Sequence, residues 1–575
     1  MKKEDVGVVI QSYGYVKTYI KKILLILLMV IANITLSLIQ PILWGSLLES
    51  VFKLDINKFA RLIIELLVLY VFEAIILYRQ SYLSTYVNES IICEMKGKIF
   101  SKIMNYQMRF LDKMGIGDVL SHLEGDVQVI SGVYTNQMLN IIIAIIKTLI
   151  IGTIAFTISW PLAIVIILML PANYLIVDKF GKALRLNHAE LRNNMDKYYS
   201  NTQEYIIGVK SIKSQGNKTY FGDKFERLVR NNKVIGLRIG KLVAGSSGLT
   251  SLMNFITEII VCVVGMYLLV EGKLTFTLFV AFSSYASLLS GALLDITQIN
   301  PKLQQAVISI KRINRILNEF EDNQEHWGQL NIKNVNGDIL LENVSFGYDD
   351  DMLFEVLNMK FNANKKHAIV GLSGSGKSSL FALLLKIYDT NEGKIFIDDI
   401  DINEISEECY RNIIGVVQQE PILFNMSIME NIKMEQRDAN IEQIYNVAKM
   451  ANIDNDIRKM PDGYNTIING LSDNLSVGQK QRIALARTLL KNPKIILFDE
   501  VTSALDNISQ ELINNTINSL RSTHTIIVIS HKISSVTDSD EIFVVDNGKV
   551  VGHGIHEELT SNCTCYREIY DKENQ

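Results

Sequence analysis

The sequence predicts two joined architectures: an α-helical membrane domain with six crossing helices, then an α/β domain built on a mostly parallel sheet. Three observations carry this. Up to about residue 300 there are six apolar segments, each near the roughly 20 residues that a spanning helix needs. The polar stretches between them keep helical spacing with few breakers. From residue 338 the pattern changes to short β-rich runs separated by helices.

The six segments fall at 23–47, 61–80, 138–159, 161–179, 247–270 and 274–299. Segments one and two, three and four, and five and six are joined by short turns, while the other two links are long. Those long links hold Arg79, Lys96, Lys98, Lys102, Arg109 and Lys113, and Lys179, Lys182, Arg185 and Arg192. By the positive-inside rule they face the cytoplasm with the Lys-rich N-terminus, so the helices extend well below the bilayer. MGIGD, residues 114–118, is expected to reverse the first link and present a short helix beneath the membrane.

The expected division is a membrane domain at 1–317, a linker at 318–337 without periodicity, and the α/β domain at 338–575. Its strand candidates are HAIV, KIFIDDI, IIGVV, KIILFDE, TIIVIS and IFVVD.

Composition narrows the classes further. The chain has 575 residues, 48% of them hydrophobic, and a net charge of −4. Its basic residues are scattered, which argues against nucleic acid as a partner. The five cysteines are far apart except Cys563 and Cys565, and no second pair accompanies these, so they read as reduced surface thiols rather than a metal site. No cleavable signal precedes the first apolar segment, and no peptidase domain is expected before it.

The chemistry lies in the second domain. GLSGSGKS, residues 371–378, follows the strand HAIV and opens a helix, as a phosphate-binding loop requires. Gly371, Ser373, Gly374, Ser375 and Gly376 would turn successive N–H groups toward phosphate oxygens, continued by Ser379. Lys377 would reach the β- and γ-phosphates, and the Ser378 hydroxyl would bind Mg²⁺. The expected fold class is thus six transmembrane helices with long cytoplasmic extensions fused to an α/β P-loop NTPase domain. Downstream, the strand at 495–498 ends in Asp499 and Glu500. In such sheets the carboxyl ends of the strands face the ligand, which suits Asp499 to the metal shell and Glu500 to general-base work. TIIVIS delivers His531 to the same edge. Gln419, in a loop after another strand, is a further Mg²⁺ ligand candidate. A second helix start, LSVGQ at 475–479, looks like another phosphate cradle.

Tyr348, the phosphate loop, Gln419, LSVGQ, FDE, the 503–506 stretch SALD and His531 come in the order and spacing of the ATP-binding cassette. With six membrane segments ahead, the chain resembles an ABC half-transporter of the exporter type over essentially its whole length. YQMRFLDKMGIGDVLSHLEGDV, residues 106–127, is similar to the family's first coupling-helix region. The resemblance implies ATP as ligand, with Tyr348 stacking on adenine, Glu500 as catalytic base and His531 as γ-phosphate switch. It also implies head-to-tail cassettes, in which Ser476, Gly478 and Gln479 of one chain meet the ATP held by another, and Asp506 lies in the crossing loop.

Three departures stand out. Val477 replaces the usual first glycine of the signature, residues 466–472 (TIINGLS) lack a glutamate found in many exporters, and Lys532 stands where arginine is commoner. Because Glu500 is intact, a homodimer is the economical expectation, with a heterodimer as the alternative.

Charges at lipid depth cost about 2.5–3.5 kcal/mol each on insertion scales and usually face an interior. Glu73, Lys147 and Glu258 fall there. They read either as a Glu–Lys pair positioning helices, or as lining of a mostly apolar, acidic cavity for amphipathic or cationic cargo. The function expected is ATP-driven export of a peptide, lipid or drug-like compound across the cell membrane. The alternatives are an ATP-gated channel or regulator, and uptake through an exporter-like fold.

Overall fold

A computed structural model of the chain describes residues 14, 16–115, 119, 122–297, 299–319, 323–348, 351–372, 374–468, 475–501 and 507–573. The chain forms two compact units, residues 1–104 with 116–320, and residues 105–115 with 321–575.

The first unit is all helical. Its main helices are α1 (Ile20–Phe52), α2 (Ile56–Ile103), α4 (Met138–Ile158), α5 (Trp160–Ile207), α6 (Lys218–Val270), α7 (Phe276–Thr297) and α8 (Ile299–Asn314); α3 (Met108–Met114) belongs to the second unit. Among the described residues, four helical stretches are long and apolar enough to cross a membrane: Lys17–Phe52, His122–Ile158, Trp160–Ile207 and Lys218–Val270. Helix α2 contains the expected second segment, but Arg61, Glu65, Glu73 and Arg79 dilute its apolar run. In α7 the apolar stretch is Phe276–Leu289. At 48, 48 and 53 residues, α2, α5 and α6 run about 70–80 Å at 1.5 Å per residue, far more than a bilayer core. The long links are therefore continuous with the membrane helices, as their spacing predicts.

Below the apolar stretch of α4 its helix rod changes pitch, with π-helical turns at His122–Asp126 and Val133–Gln137. Asp126 is buried there and accepts a hydrogen bond from the Ser309 hydroxyl at 2.6 Å. His122 Nδ1 lies 2.8 Å from the same carboxylate, and Arg312 lies 3.7 Å away. Ser131 and Thr135 donate to Asn88 Oδ1 on α2 at 2.8 and 3.1 Å. These charge-assisted and neutral bonds fasten three helices outside the apolar zone, where sequence periodicity gives no warning of them.

The second unit holds α3 (Met108–Met114) and the α/β domain. Its six-stranded sheet has the order β10 (Lys549–Gly554), β9 (Glu541–Asp546), β3 (Lys366–Val370), β8 (Thr525–Ser530), β7 (Ile495–Asp499), β6 (Ile414–Val417), parallel except for β10. Alternate residues feed cores on opposite faces: Val370, Phe498 and Val528 on one, Ile369, Leu497 and Ile529 on the other. A period of two in fully buried strands explains why these runs look continuously apolar.

The second expected run, KIFIDDI, does not join this sheet. It forms β4 (Glu392–Ile397) in an antiparallel sheet of order β2 (Phe354–Phe361), β1 (Ile339–Phe346), β4, β5 (Ile400–Asp401). Its first three residues are exposed, and beyond them Ile395 and Ile397 are buried while Phe396 between them is only half-buried. A strand with one wetter face is the mark of an antiparallel layer.

Residues 323–337, expected as linker, are strapped onto the cassette. Gly328 and Leu330 donate to the carbonyls of Ile405 and Glu404 at 3.0 and 2.9 Å. Trp327 lies under the Lys386 ammonium at 4.2 Å and the Arg411 guanidinium at 5.0 Å. The expected reversal at 114–118 lies partly outside the described residues. The short helix before it is α3, which packs within the cassette unit.

Candidate functional site

The parallel sheet creates the site by register. Val370 pairs with Ser530, and Asp499 with Ile529. The chain therefore leaves β3, β7 and β8 at one edge, carrying the phosphate loop, the Asp499–Glu500 pair and His531 together.

At the loop, Gly376 has φ +102 and a Cβ there would meet the Phe354 ring at 2.8 Å. A Cβ at Gly371 would meet the Val545 carbonyl oxygen at 2.1 Å. Only glycine allows this path. The helix α9 (Lys377–Leu384) starts directly behind. Lys377 is 4% exposed, and its ammonium donates to the carbonyls of Gly371 and Leu372 at 2.9 and 2.8 Å. Burial pulls its pKa below the usual lysine value, while the charges of Glu500 and Asp499 oppose that shift. Ser375 is buried 3.5 Å from this ammonium, Gly374 and Ser378 are exposed, and Ser379 is tied by its hydroxyl to Tyr348 at 2.9 Å. Ser373 lies outside the described residues.

Asp499 ends β7. Burial raises its carboxyl above the ordinary range and the Glu500 charge adds to this, against the pull of Lys377. Glu500 has φ +48, rare for a residue with a side chain, and its N–H donates to Ile529 O at 3.1 Å. The twist turns its carboxylate onto the His531 imidazole Nε2, with which it is in direct contact. Gln419 is exposed beyond β6, and its carbonyl accepts from the buried Gln481 side chain at 2.9 Å.

The LSVGQ stretch opens α10 (Val477–Lys491). Ser476 Oγ accepts the Gln479 N–H at 3.2 Å, and Gln479 Oε1 accepts the Ser476 N–H at 3.0 Å, a reciprocal cap. Val477 is 46% exposed. Among the described residues, no hydrogen bond joins Ser476 or Gln479 to the phosphate loop of the same chain. Gly478 is buried against the helix start, and Asp506 lies outside the described residues.

Tyr348 is 43% exposed and stands edge-on to Tyr388, ring centroids 5.2 Å apart. Sequence reasoning missed Tyr388 and Asn391. The Tyr388 hydroxyl donates to Asp112 of α3 at 2.6 Å, and Asn391 Oδ1 accepts from Gly347 N–H at 3.1 Å. Arg109 of α3 donates to the Gly347 carbonyl. The two contacts made by α3 join residues 238 and 276 apart in the chain, so no local pattern announces them.

In the membrane unit, Glu73 accepts a hydrogen bond from Gln40 of α1. Glu258 is exposed on α6 and Lys147 is half-buried on α4. Among the described residues, no ion pair joins either glutamate to Lys147.

A glycine loop on a helix start, an acidic strand end and a histidine at one sheet edge define a nucleoside-triphosphate hydrolase, here fused to a membrane-spanning helical unit. Family models agree: "ABC transporter transmembrane region" matches residues 23–293 and "ABC transporter" matches 354–503, together well over half the chain. The chain belongs to the ABC transporters, as an ATP-hydrolysing membrane transporter of exporter fold. It is 30% identical over 533 residues to ABC transporter B family member 1 of Dictyostelium discoideum, covering 92% of this chain but 58% of that protein. It is 26% identical to the putative multidrug export ATP-binding/permease protein YgaD of Bacillus subtilis, over 99% of this chain and 100% of YgaD. The solved structure of a bacterial Atm1-family ABC exporter with ATP bound shares the fold, with TM-score 0.82 at 23% identity, covering 96% and 99% of the two chains.

Proposed function

We propose that the chain exports an amphipathic or hydrophobic compound across the cell membrane by alternating access, as a homodimer with its N-terminus and cassette in the cytoplasm. The observation that carries this is the intact Glu500 held against His531 beside Lys377, with Ser476 on a separate, outward-facing helix start. One kind of chain then supplies both halves of each site.

In this reading Tyr348 stacks on adenine, and the loop of Gly371, Ser373, Gly374, Ser375 and Gly376 wraps the phosphates. The Lys377 ammonium leaves its two carbonyl partners for phosphate oxygens. Glu500 takes the proton of the water that attacks the γ-phosphorus, and His531 holds both the carboxylate and the phosphate edge. Ser476, Gly478 and Gln479 of the partner chain, with Asp506, close the site, and the start of α10 offsets the transition-state charge. Two adjacent half-buried carboxyls suit a divalent cation, so Asp499, Ser378 and Gln419 would hold Mg²⁺, which would supply charge neutralisation on the phosphates.

Cargo would enter between helices near Glu73 and Gln40, with Glu258 and Lys147 as further lining. The predominantly multidrug naming of a relative, YgaD, favours drug-like amphiphiles. The test is ATP turnover by the purified chain in lipid nanodiscs, beside Glu500→Gln, with a panel of peptides, lipids and cationic amphiphiles. Turnover by wild type alone, changed by one cargo class, supports the reading. A folded, ATP-binding chain that does not hydrolyse contradicts the homodimer.

A further inference from the structure

His531 sits between two fixed points. β8 ends at Ser530, and a single 3-10 turn, Ile533–Ser535, begins two residues beyond the histidine. On the near side, Ser530 Oγ accepts the Lys532 N–H at 2.9 Å and its hydroxyl donates to the Lys532 carbonyl at 2.9 Å. Ser535 donates to the same carbonyl at 2.7 Å.

On the far side the fastening comes from the C-terminal helix, Thr564–Glu573. The Glu573 carboxylate accepts the Ile533 N–H at 2.6 Å, the Ser534 N–H at 3.3 Å and the Ser534 hydroxyl. The Ile533 side chain is fully buried in the same core cluster as Tyr566 and Ile569, so the helix that carries Glu573 packs directly on the turn it caps. The first N–H groups of any helical turn lack internal partners, and a carboxylate satisfies them best because charge strengthens each bond. The hydrogen bonds that Glu573 accepts come from Ile533 and Ser534, so its lever is the backbone next to His531.

We propose that Glu573 is a positioning residue for the histidine. By capping the turn after β8, it fixes the His531 backbone so that the imidazole meets Glu500, and the C-terminal helix thereby sets the rate of hydrolysis. The inference rests on the role given to His531 above.

The experiment measures kcat and KM for ATP on the full chain in nanodiscs, for wild type, Glu573→Gln, Glu573→Ala, Ser534→Ala, His531→Ala and the His531→Ala/Glu573→Ala double variant. Removing the cap is expected to lower kcat about tenfold, the effect of losing a charge-assisted contact, with KM within about twofold. Gln keeps the size and one acceptor, so Glu573→Gln falls between. In the His531→Ala background, Glu573→Ala is expected to add nothing, because both act through one group. Unchanged kcat in Glu573→Gln and Glu573→Ala overturns the inference, and so does an equal loss in the His531→Ala background. Where Glu573→Ala does not fold, Glu573→Gln and Ser534→Ala decide by the same criterion. Should His531→Ala itself turn over normally, the role of the histidine fails, a result separate from a normal Glu573→Gln beside a crippled His531→Ala.

Discussion

The cassette and the membrane unit bury apolar side chains against different solvents. In the cassette, Ile369, Leu497 and Ile527 are fully enclosed. In the membrane unit, Leu28 is 64% exposed and Phe72 58% on this chain, as suits apolar side chains whose surroundings are lipid rather than water. Hydrolysis of a phosphate needs particular groups at particular distances, so the cassette's sequence is constrained residue by residue. A lipid-facing helix needs only to be apolar, and its composition says little about the cargo.

Breaking the cassette should therefore have the larger effect on turnover. Glu500→Gln is expected to cut kcat by about 10²–10³, within the range for losing a general base, while ATP binding persists. A residual rate near wild type would move the base elsewhere. Tyr348→Ala should raise KM for ATP about tenfold, in line with base-stacking losses of about 1–3 kcal/mol. Tyr348→Phe, which gives up only the Ser379 hydrogen bond, should stay within about twofold. Equal effects of the two would place the hydroxyl, not the ring, at the centre.

Val477→Gly removes the exposed side chain beside Ser476 and should raise kcat by about twofold, at a helix-propensity cost of at most about 1 kcal/mol. A fall in rate at unchanged melting temperature would mean that valine assists the contact. The smallest effect on basal turnover belongs to the membrane unit. Glu73→Gln should leave basal hydrolysis within about twofold and change only its stimulation by cationic amphiphiles, because the side chain belongs to the membrane unit, bonded to Gln40, and not to the cassette. Unaltered stimulation and cargo binding in both Glu73→Gln and Glu258→Gln would remove the acidic cavity from the account.

The same contrast governs what could be read from the sequence. The strands before Gly371, Asp499 and His531 were legible because a buried four-residue run followed by a reactive side chain has few other meanings. The antiparallel layer was harder. β2 does alternate, with Phe354, Leu357, Met359 and Phe361 inside and Glu355, Asn358 and Lys360 outside, but no motif marks it and KIFIDDI was drawn into the parallel set. Contacts across long separations left no trace: Tyr388 with Asp112, Asp126 with Ser309, and Glu573 with Ile533. Each joins residues whose own surroundings look ordinary. The choice between a Glu–Lys pair and a cavity lining at Glu73, Lys147 and Glu258 was not legible either, since depth along a helix does not fix its facing direction.

The central claim is that each ATP is held by the loop of one chain and the α10 start of another. Lys377→Ala disables a loop and Ser476→Glu sets a negative charge where phosphate would meet α10, so each homodimer should be inactive. In a tag-purified dimer with one mutation on each chain, one complete site remains, and hydrolysis should return toward half the wild-type rate. With both mutations on one chain and a wild-type partner, neither site is whole and activity should stay absent. The opposite order, activity only when both mutations share a chain, would contradict the account and place loop and α10 of one chain at the same nucleotide.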